Sequence, residues 1–399
     1  MMLNELRPTN ASFMHLERHL NGGSPSGFSF VSTPGPGFRP LDSVDQFDLP
    51  VFDCAAFGGT TVGSVPTLKR GELPVHPDMA QQFEAATGRA PHRWLPAVPG
   101  SSGRTLSTEA DGMPFYAKVS YQGLLGRVTR KMTKAHVLSA IEVSSLYQSS
   151  IDAALMPDSF HIYREHCGLY FPETAGLSDW GYVERDIAAY PSSYFIEVPA
   201  FSLFFVPSNG HPCLLAQLVD AIASLRTVEG FFTRIIQPLL DLYFSSLTVL
   251  GLQPEAHAQN VVFLLDDSYI PVGIALRDME SVDKDLPLLE TLNLAHHFTP
   301  TGYKFLTKDR DDYQIKHSFM YDFKLGVYLL GPLVDAWAAS TCSTFVPDLE
   351  DRIRSYARSQ LVVLPDDFFP DGVWYDYDAV VHEGRPTREY RQHPNPRFR

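Results

Sequence analysis

The stretch Glu255-Ala-His257-Ala-Gln259-Asn260-Val-Val-Phe-Leu-Leu-Asp266-Asp267-Ser-Tyr-Ile-Pro-Val-Gly-Ile-Ala-Leu-Arg277-Asp278 decides how this chain is read. From Asn260 to Leu265 a short apolar run has the pattern of a buried strand. Asp266-Asp267-Ser supplies a turn, and Val272-Gly-Ile-Ala-Leu276 supplies a partner strand. If the strands pair through that turn, Asn260 and Asp278 meet at the same end. Four polar residues stand just before the first strand and an Arg-Asp pair follows the second. Strand-end loops are where sites are usually built. The plainer alternative is a hairpin whose polar ends cap one another.

An Asn and an Asp at adjacent strand ends can hold Mg²⁺, which takes oxygen ligands and bridges phosphate oxygens. His257, three residues before Asn260, can reach the same phosphate as donor or acid/base.

Composition sets the frame for a phosphate ligand. The chain has 399 residues, 32 basic against 46 acidic side chains and a formal charge of −14. Such a balance disfavours general binding to nucleic acid or anionic membrane. A polyanion such as ATP then requires a local positive patch. Residues 101–134 supply one: Arg104, Lys118, Arg127, Arg130, Lys131 and Lys134 stand against Glu109 and Asp111. Ser101-Ser-Gly-Arg104-Thr105 is a phosphate-friendly turn, because hydroxyls and exposed amides donate and Arg binds bidentately. Its plainer reading is a helix start with solvated basic residues, which suits Lys131 and Lys134 best.

The four cysteines, at 54, 167, 213 and 342, lack metal-ligand spacing and read as buried, reduced thiols. No basic-then-apolar leader and no apolar run of the ~18 residues needed to span a bilayer is seen, so a cytoplasmic protein is expected.

The expected class is α+β, a small strand-rich region before a larger, mostly helical one with the hairpin embedded in it. Residues 1–50 read as a variable, loop-rich segment, 51–132 as strand-rich, 133–383 as mostly helical and 384–399 as a disordered basic tail. Helices are expected over Pro77–Thr87, Val137–Leu155 with Thr133 as N-cap, Leu214–Leu225, Glu229–Leu250 broken near Pro238, Tyr321–Ala338 and Pro347–Gln360.

Together these stretches resemble the ATP-dependent siderophore synthetases that work without a peptide-synthetase assembly line, the aerobactin-synthetase-like family. Leu73-Pro-Val-His76-Pro77 is similar to that family's P-V-H-P-W segment, and Ser102-Gly-Arg104-Thr105 to its S-x-R-T phosphate loop. Lys118-Val-Ser with Arg130 resembles its K-L-S and following Arg. Glu255-Ala-His257-Ala-Gln259-Asn260 with Arg277-Asp278 resembles its E-x-H-x-Q-N and R-D pair. The ordered set spans roughly residues 70–370.

The resemblance implies a hand-like fold of fingers, palm and thumb with ATP between fingers and palm. It implies a ligase that adenylates a citrate-like carboxylate, releases pyrophosphate and passes the acyl group to an amine or alcohol. It assigns Ser102, Arg104, Thr105, Lys118, Arg130, His257, Gln259 and Arg277 to the nucleotide, with Arg104, Arg130 and His257 at the reacting phosphate. Asn260 and Asp278, with Glu255, would hold Mg²⁺. Dimers are common in that family. Three features depart from it: the N-terminal H-P-x-H-P-x-x-K segment is absent, Asp78 replaces Trp, and Met279-Glu280-Ser281 replaces an aromatic-Gly run.

Two other readings remain. His257-x-x-Asn260, a strand, and Asp278 after a second strand also echo aminoglycoside- and choline-kinase-like enzymes, although Ala258 and Gln259 stand where those place a catalytic Asp. A family member that has lost or altered its activity and serves as a binding protein is the other.

Overall fold

The protein is described from a computed structural model covering residues 2–21, 35, 38, 46–125, 128–191, 195–208, 210–342, 344–382 and 385–399. It is a mixed α+β fold. An eight-stranded antiparallel sheet runs in the order Thr60–Gly63, Glu165–Tyr170, Tyr182–Arg185, Met113–Val119, Thr105–Ala110, Arg93–Pro99, Phe47–Asp53 and Glu72–Pro74. The sheet therefore does not end at 132. Two of its strands come after the helix Lys134–Asp152, and they carry charged residues in place of a simple polar–apolar alternation. That helix starts at Thr133, whose side chain and His136 form a reciprocal cap.

The decisive stretch folds as a hairpin, Val261–Leu265 against Pro271–Leu276, with Val261 opposite Leu276. Every residue of the first strand is buried, which explains its unbroken apolar run. At about 1.5–3 kcal/mol per buried large apolar side chain, these strands are held firmly in register. Ile196–Pro199 flanks the hairpin on one side, and Phe160–Ile162 pairs in parallel on the other. Helices pack around it over a core that includes Leu239, Tyr243, Leu329 and Trp337.

Pro238 falls in the first turn of the helix Gln237–Leu250, after a π-helical turn at Phe232–Ile236. Proline lacks a backbone donor, so the register changes there. The buried helix expected from Tyr321 starts earlier, at Tyr313, and is π-helical over Phe319–Leu330. The amphipathic helix spans Val346–Leu361. Cys54, Cys167 and Cys213 are buried and unpaired; Cys342 is exposed, contrary to expectation.

Both termini correct the sequence reading. Asn10–His19 is a helix capped by Thr9, with Phe13, Met14, Leu16 and Glu17 buried. The glycine- and proline-rich stretch after it lies outside the described residues, apart from Gly35 and Phe38. The basic tail is not a solvated end: Arg385–Pro394 pairs with Val373–His382. Phe398 is buried, and Arg399 donates to the Asp322 carboxylate at 2.9 Å. These partners lie far away in sequence, so local composition could not reveal them. Among the described residues, no helix is long and apolar enough to cross a membrane.

Candidate functional site

The structure brings all eleven expected site residues to one cavity of about 270 Å³ between the large sheet and the hairpin. Arg127, part of the expected patch, lies outside the described residues. Eight Lys and Arg side chains line the cavity against four carboxylates, an excess of four positive charges in a chain of net −14.

The loop between strands Arg93–Pro99 and Thr105–Ala110 forms one wall. Gly103 adopts φ +72°, a left-handed conformation that glycine takes without strain. Ser102 Oγ accepts from the Thr105 amide at 3.1 Å, so the loop is braced from within. Thr105 stands directly across the sheet from Lys118.

Lys118 is fully buried. Its ammonium contacts Asp278, lies 2.9 Å from Glu280 Oε2 and 3.7 Å from Glu165 Oε1. Burial opposes its charge, but Asp278, Glu165 and Glu280 outweigh that and raise its pKa. Arg104 is also buried; it donates to Glu280 at 3.1 Å and to the Arg130 carbonyl at 3.1 Å. The Arg130 side chain is exposed to the cavity. Asp278 sits at the hairpin end with φ +72°. Against burial, Lys118, Arg185 and Arg104 hold its carboxyl far below the usual range; Lys118 and Arg104 do the same for Glu280.

On the opposite wall, His257 Nδ1 accepts from the Gln259 amide at 3.2 Å. The free proton of a neutral ring is then on Nε2. Burial lowers the His257 pKa to about 4 despite Glu255, so the ring is neutral near pH 7. Glu255 lies 2.6 Å from Lys324; burial opposes its charge, but Lys324, His257 and Lys304 hold it at about 2. Asn260 Nδ2 donates to the Glu255 carbonyl at 3.1 Å, and the Gln259 side chain donates to Ser101 Oγ at 3.2 Å.

Residues 229–344 match the family model described as ferric iron reductase FhuF-like transporter. No curated protein sequence matches the chain. Among solved structures, ATP-bound aerobactin synthetase IucA from a hypervirulent pathotype of Klebsiella pneumoniae superposes with a TM-score of 0.69 at 16% identity, over 91% of this chain and 72% of that one. Petrobactin biosynthesis protein AsbB from Bacillus anthracis gives 0.68 at 16% identity, over 97% and 75%. Aerobactin synthetase IucC from the same Klebsiella pathotype gives 0.61 at 13%, over 90% and 74%.

The chain has the fold of the IucA/IucC synthetases.

Within this synthetase fold, several residues that sequence reasoning missed complete the cavity. Glu17, from the N-terminal helix, accepts from the Ser101 amide at 2.9 Å and from Arg277 at 2.6 Å. Arg277 also donates to the Gln259 carbonyl at 2.6 Å, so its guanidinium is spent on joining the two walls. Arg185 lies 2.6 Å from Glu165 and 3.4 Å from Asp278. Glu280, noticed in the sequence only as a departure, takes both Arg104 and Lys118. The signal available for Glu17 was Thr9 followed by the spacing of Phe13, Met14 and Leu16. Arg185 and Glu165 left none.

The expected metal set needs correction. Among the described residues, no group of three or more His, Cys, Asp and Glu side chains could hold a metal ion. Glu255 is turned to Lys324 and leaves the set. Asp278 is likewise paired, with Lys118 and Arg185, and Asn260 stands beside it at the paired strand ends, where Arg277 N–H bonds to the Asn260 carbonyl at 3.0 Å. Asn and Asp side chains are oxygen ligands of the type that Mg²⁺ takes.

Proposed function

We propose that this protein is an ATP-dependent ligase that adenylates a citrate-like carboxylic acid and transfers the acyl group to an amine or alcohol, in siderophore or related secondary-metabolite synthesis. The observation that carries this reading is the cavity's excess of four positive charges inside an acidic chain. Two anions, a triphosphate and a carboxylate, must meet there, and clustered cations lower that repulsion.

In this reading Ser102, Thr105, Arg104, Lys118 and Arg130 bind phosphate oxygens. Incoming phosphate displaces the Glu280 and Asp278 carboxylates from Arg104 and Lys118. His257 donates its Nε2 proton as a neutral group to the phosphate that becomes pyrophosphate. Arg277, Gln259 and Glu17 keep the phosphate loop and the hairpin end in register. Asn260 and Asp278 would hold Mg²⁺, whose chemistry there would be neutralisation of phosphate charge. Holding both reactants in line supplies much of the remaining rate.

The test is pyrophosphate release dependent on added acid, screened over citrate, succinate and 2-oxoglutarate, with AMP as the nucleotide product. ADP as the product would indicate kinase-like transfer instead.

The prior pairing of Arg104 and Lys118 with Glu280 favours a second reading, a nucleotide-free binding protein. Absence of Mg-ATP binding by calorimetry would support it.

A further inference from the structure

Glu280 has its two carboxylate oxygens divided between two pairs of partners. Oε2 lies 2.9 Å from the Lys118 ammonium and 3.1 Å from Arg104. Oε1 accepts from the Tyr303 hydroxyl at 3.2 Å and lies 3.8 Å from His136 Nε2. The first pair belongs to the phosphate site. The second pair is not used there, and its two rings stand against each other with centroids 4.4 Å apart.

Both members of the second pair are donors. Burial, and after it Glu280, raises the Tyr303 pKa, so the phenol keeps its proton. His136 Nδ1 accepts from the Thr133 amide at 3.3 Å, at the start of the helix Lys134–Asp152. Burial lowers the pKa of this ring, and Arg104, Lys118 and Lys304 add to it against the pull of Glu280. The ring is then neutral near pH 7 with its proton on Nε2. From 3.8 Å, a shift of about 0.9 Å would bring that N–H to a normal hydrogen-bond distance from Glu280.

ATP in the phosphate site changes the balance. Asp278 gives up Lys118 to the phosphates but keeps Arg185, 3.4 Å away. Glu280 gives up both of its cations. It is buried, and a buried carboxylate without partners is strongly unfavourable.

We propose that Tyr303 and His136 are positioning residues that receive Glu280 when phosphate takes Arg104 and Lys118. Oε1 keeps Tyr303, and the carboxylate moves onto the His136 Nε2–H. Both cations are thereby opened without leaving a bare charge in the cavity. Glu280 is a chain-borne stand-in for phosphate with a second set of partners beside the site. The proposal rests on the nucleotide half of the ligase reading and needs no particular acid.

Calorimetry of Mg-ATP binding in two backgrounds tests it. Tyr303→Phe and His136→Gln are each made in the wild type and in Glu280→Gln, and thermal melting checks the fold of each. Glutamine at 136 keeps the helix cap, which takes Glu or Gln at that position. In the wild-type background Tyr303→Phe should weaken ATP binding about tenfold, the scale of a hydrogen bond to a charged group. His136→Gln should weaken it likewise. The Tyr303 bond exists before ATP binds, but two cations then still compensate Glu280, so its loss weighs more on the bound state. In Glu280→Gln there is no charge to receive, and each change should alter affinity by less than about twofold. Equal losses in both backgrounds overturn the proposal, because the two side chains would then serve the fold or the nucleotide directly. Tighter binding by Tyr303→Phe also overturns it, because Tyr303 would then hold Glu280 on the cations. If none of the proteins binds ATP, Glu280→Gln included, the nucleotide reading falls and this proposal with it; binding with equal losses removes the proposal alone.

Discussion

Lys118 and Glu280 are joined at 2.9 Å across the cavity, between a strand of the large sheet and the turn after the hairpin. The same Glu280 oxygen takes Arg104, so one carboxylate occupies two cations assigned here to phosphate. Glu280→Gln removes that competitor. ATP should bind about tenfold tighter, a gain of about 1.4 kcal/mol, by calorimetry. Weaker binding would mean that Glu280 serves the nucleotide directly.

Glu17 connects the Ser101 amide to Arg277, and all three are buried. Glu17→Ala leaves the Arg277 charge buried with its carboxylate partner gone. Breaking such a pair costs about 3–5 kcal/mol. Glu17→Gln retains an accepting oxygen and should lose less. Urea unfolding of the two variants compares them directly, and equal midpoints would remove Glu17 from the frame of the site.

Asp278 holds φ +72° while its carboxylate meets Lys118 and Arg185. Left-handed backbone costs most residues about 1–2 kcal/mol, and Asn and Asp less. Asp278→Asn should therefore abolish turnover and retain the fold, whereas Asp278→Ala should add a stability loss of about 1 kcal/mol. Measured kcat and melting temperature separate the two effects. Full activity of the Asn variant would contradict the role given to this carboxylate.

Stability should fall on mild acidification. Burial lowers the pKa of both His76 and His257 to about 4, from 6.5 in the unfolded chain. Between these values the unfolded state binds more protons. The stabilisation is thus complete above about pH 6.5 and is lost as pH falls toward 4, up to about 3 kcal/mol for each histidine. Asp322, raised by burial to about 6 against the pull of Arg399, works in the opposite sense and offsets part of this. Unfolding free energy should be lower at pH 5 than at pH 7.5 by about 2 kcal/mol or more, and His257→Gln should flatten the slope. A pH-independent value across that window would show that these rings are not buried as neutral groups.

What was legible in the sequence was local. The hairpin could be read because Val261–Leu265 is buried throughout while its ends are polar. The phosphate loop could be read because Gly103 and its hydroxyl neighbours form a turn of known chemistry. What escaped depends on distant partners. Glu17 meets a loop more than eighty residues away, and Arg185 neutralises carboxylates on two other elements. Arg399 reads as a solvated end until Asp322 is seen beneath it. Lys316, Lys324 and Phe319 share a cavity wall because part of their helix has π geometry, which sequence periodicity does not announce.

In the proposed ligase reaction a carboxylate oxygen attacks the α-phosphorus of ATP. An acid that supports turnover can be supplied with heavy oxygen in its carboxylate, and the products weighed by mass spectrometry. One labelled oxygen is expected in AMP, with none in pyrophosphate. Label in inorganic phosphate, with ADP as the nucleotide product, would contradict it.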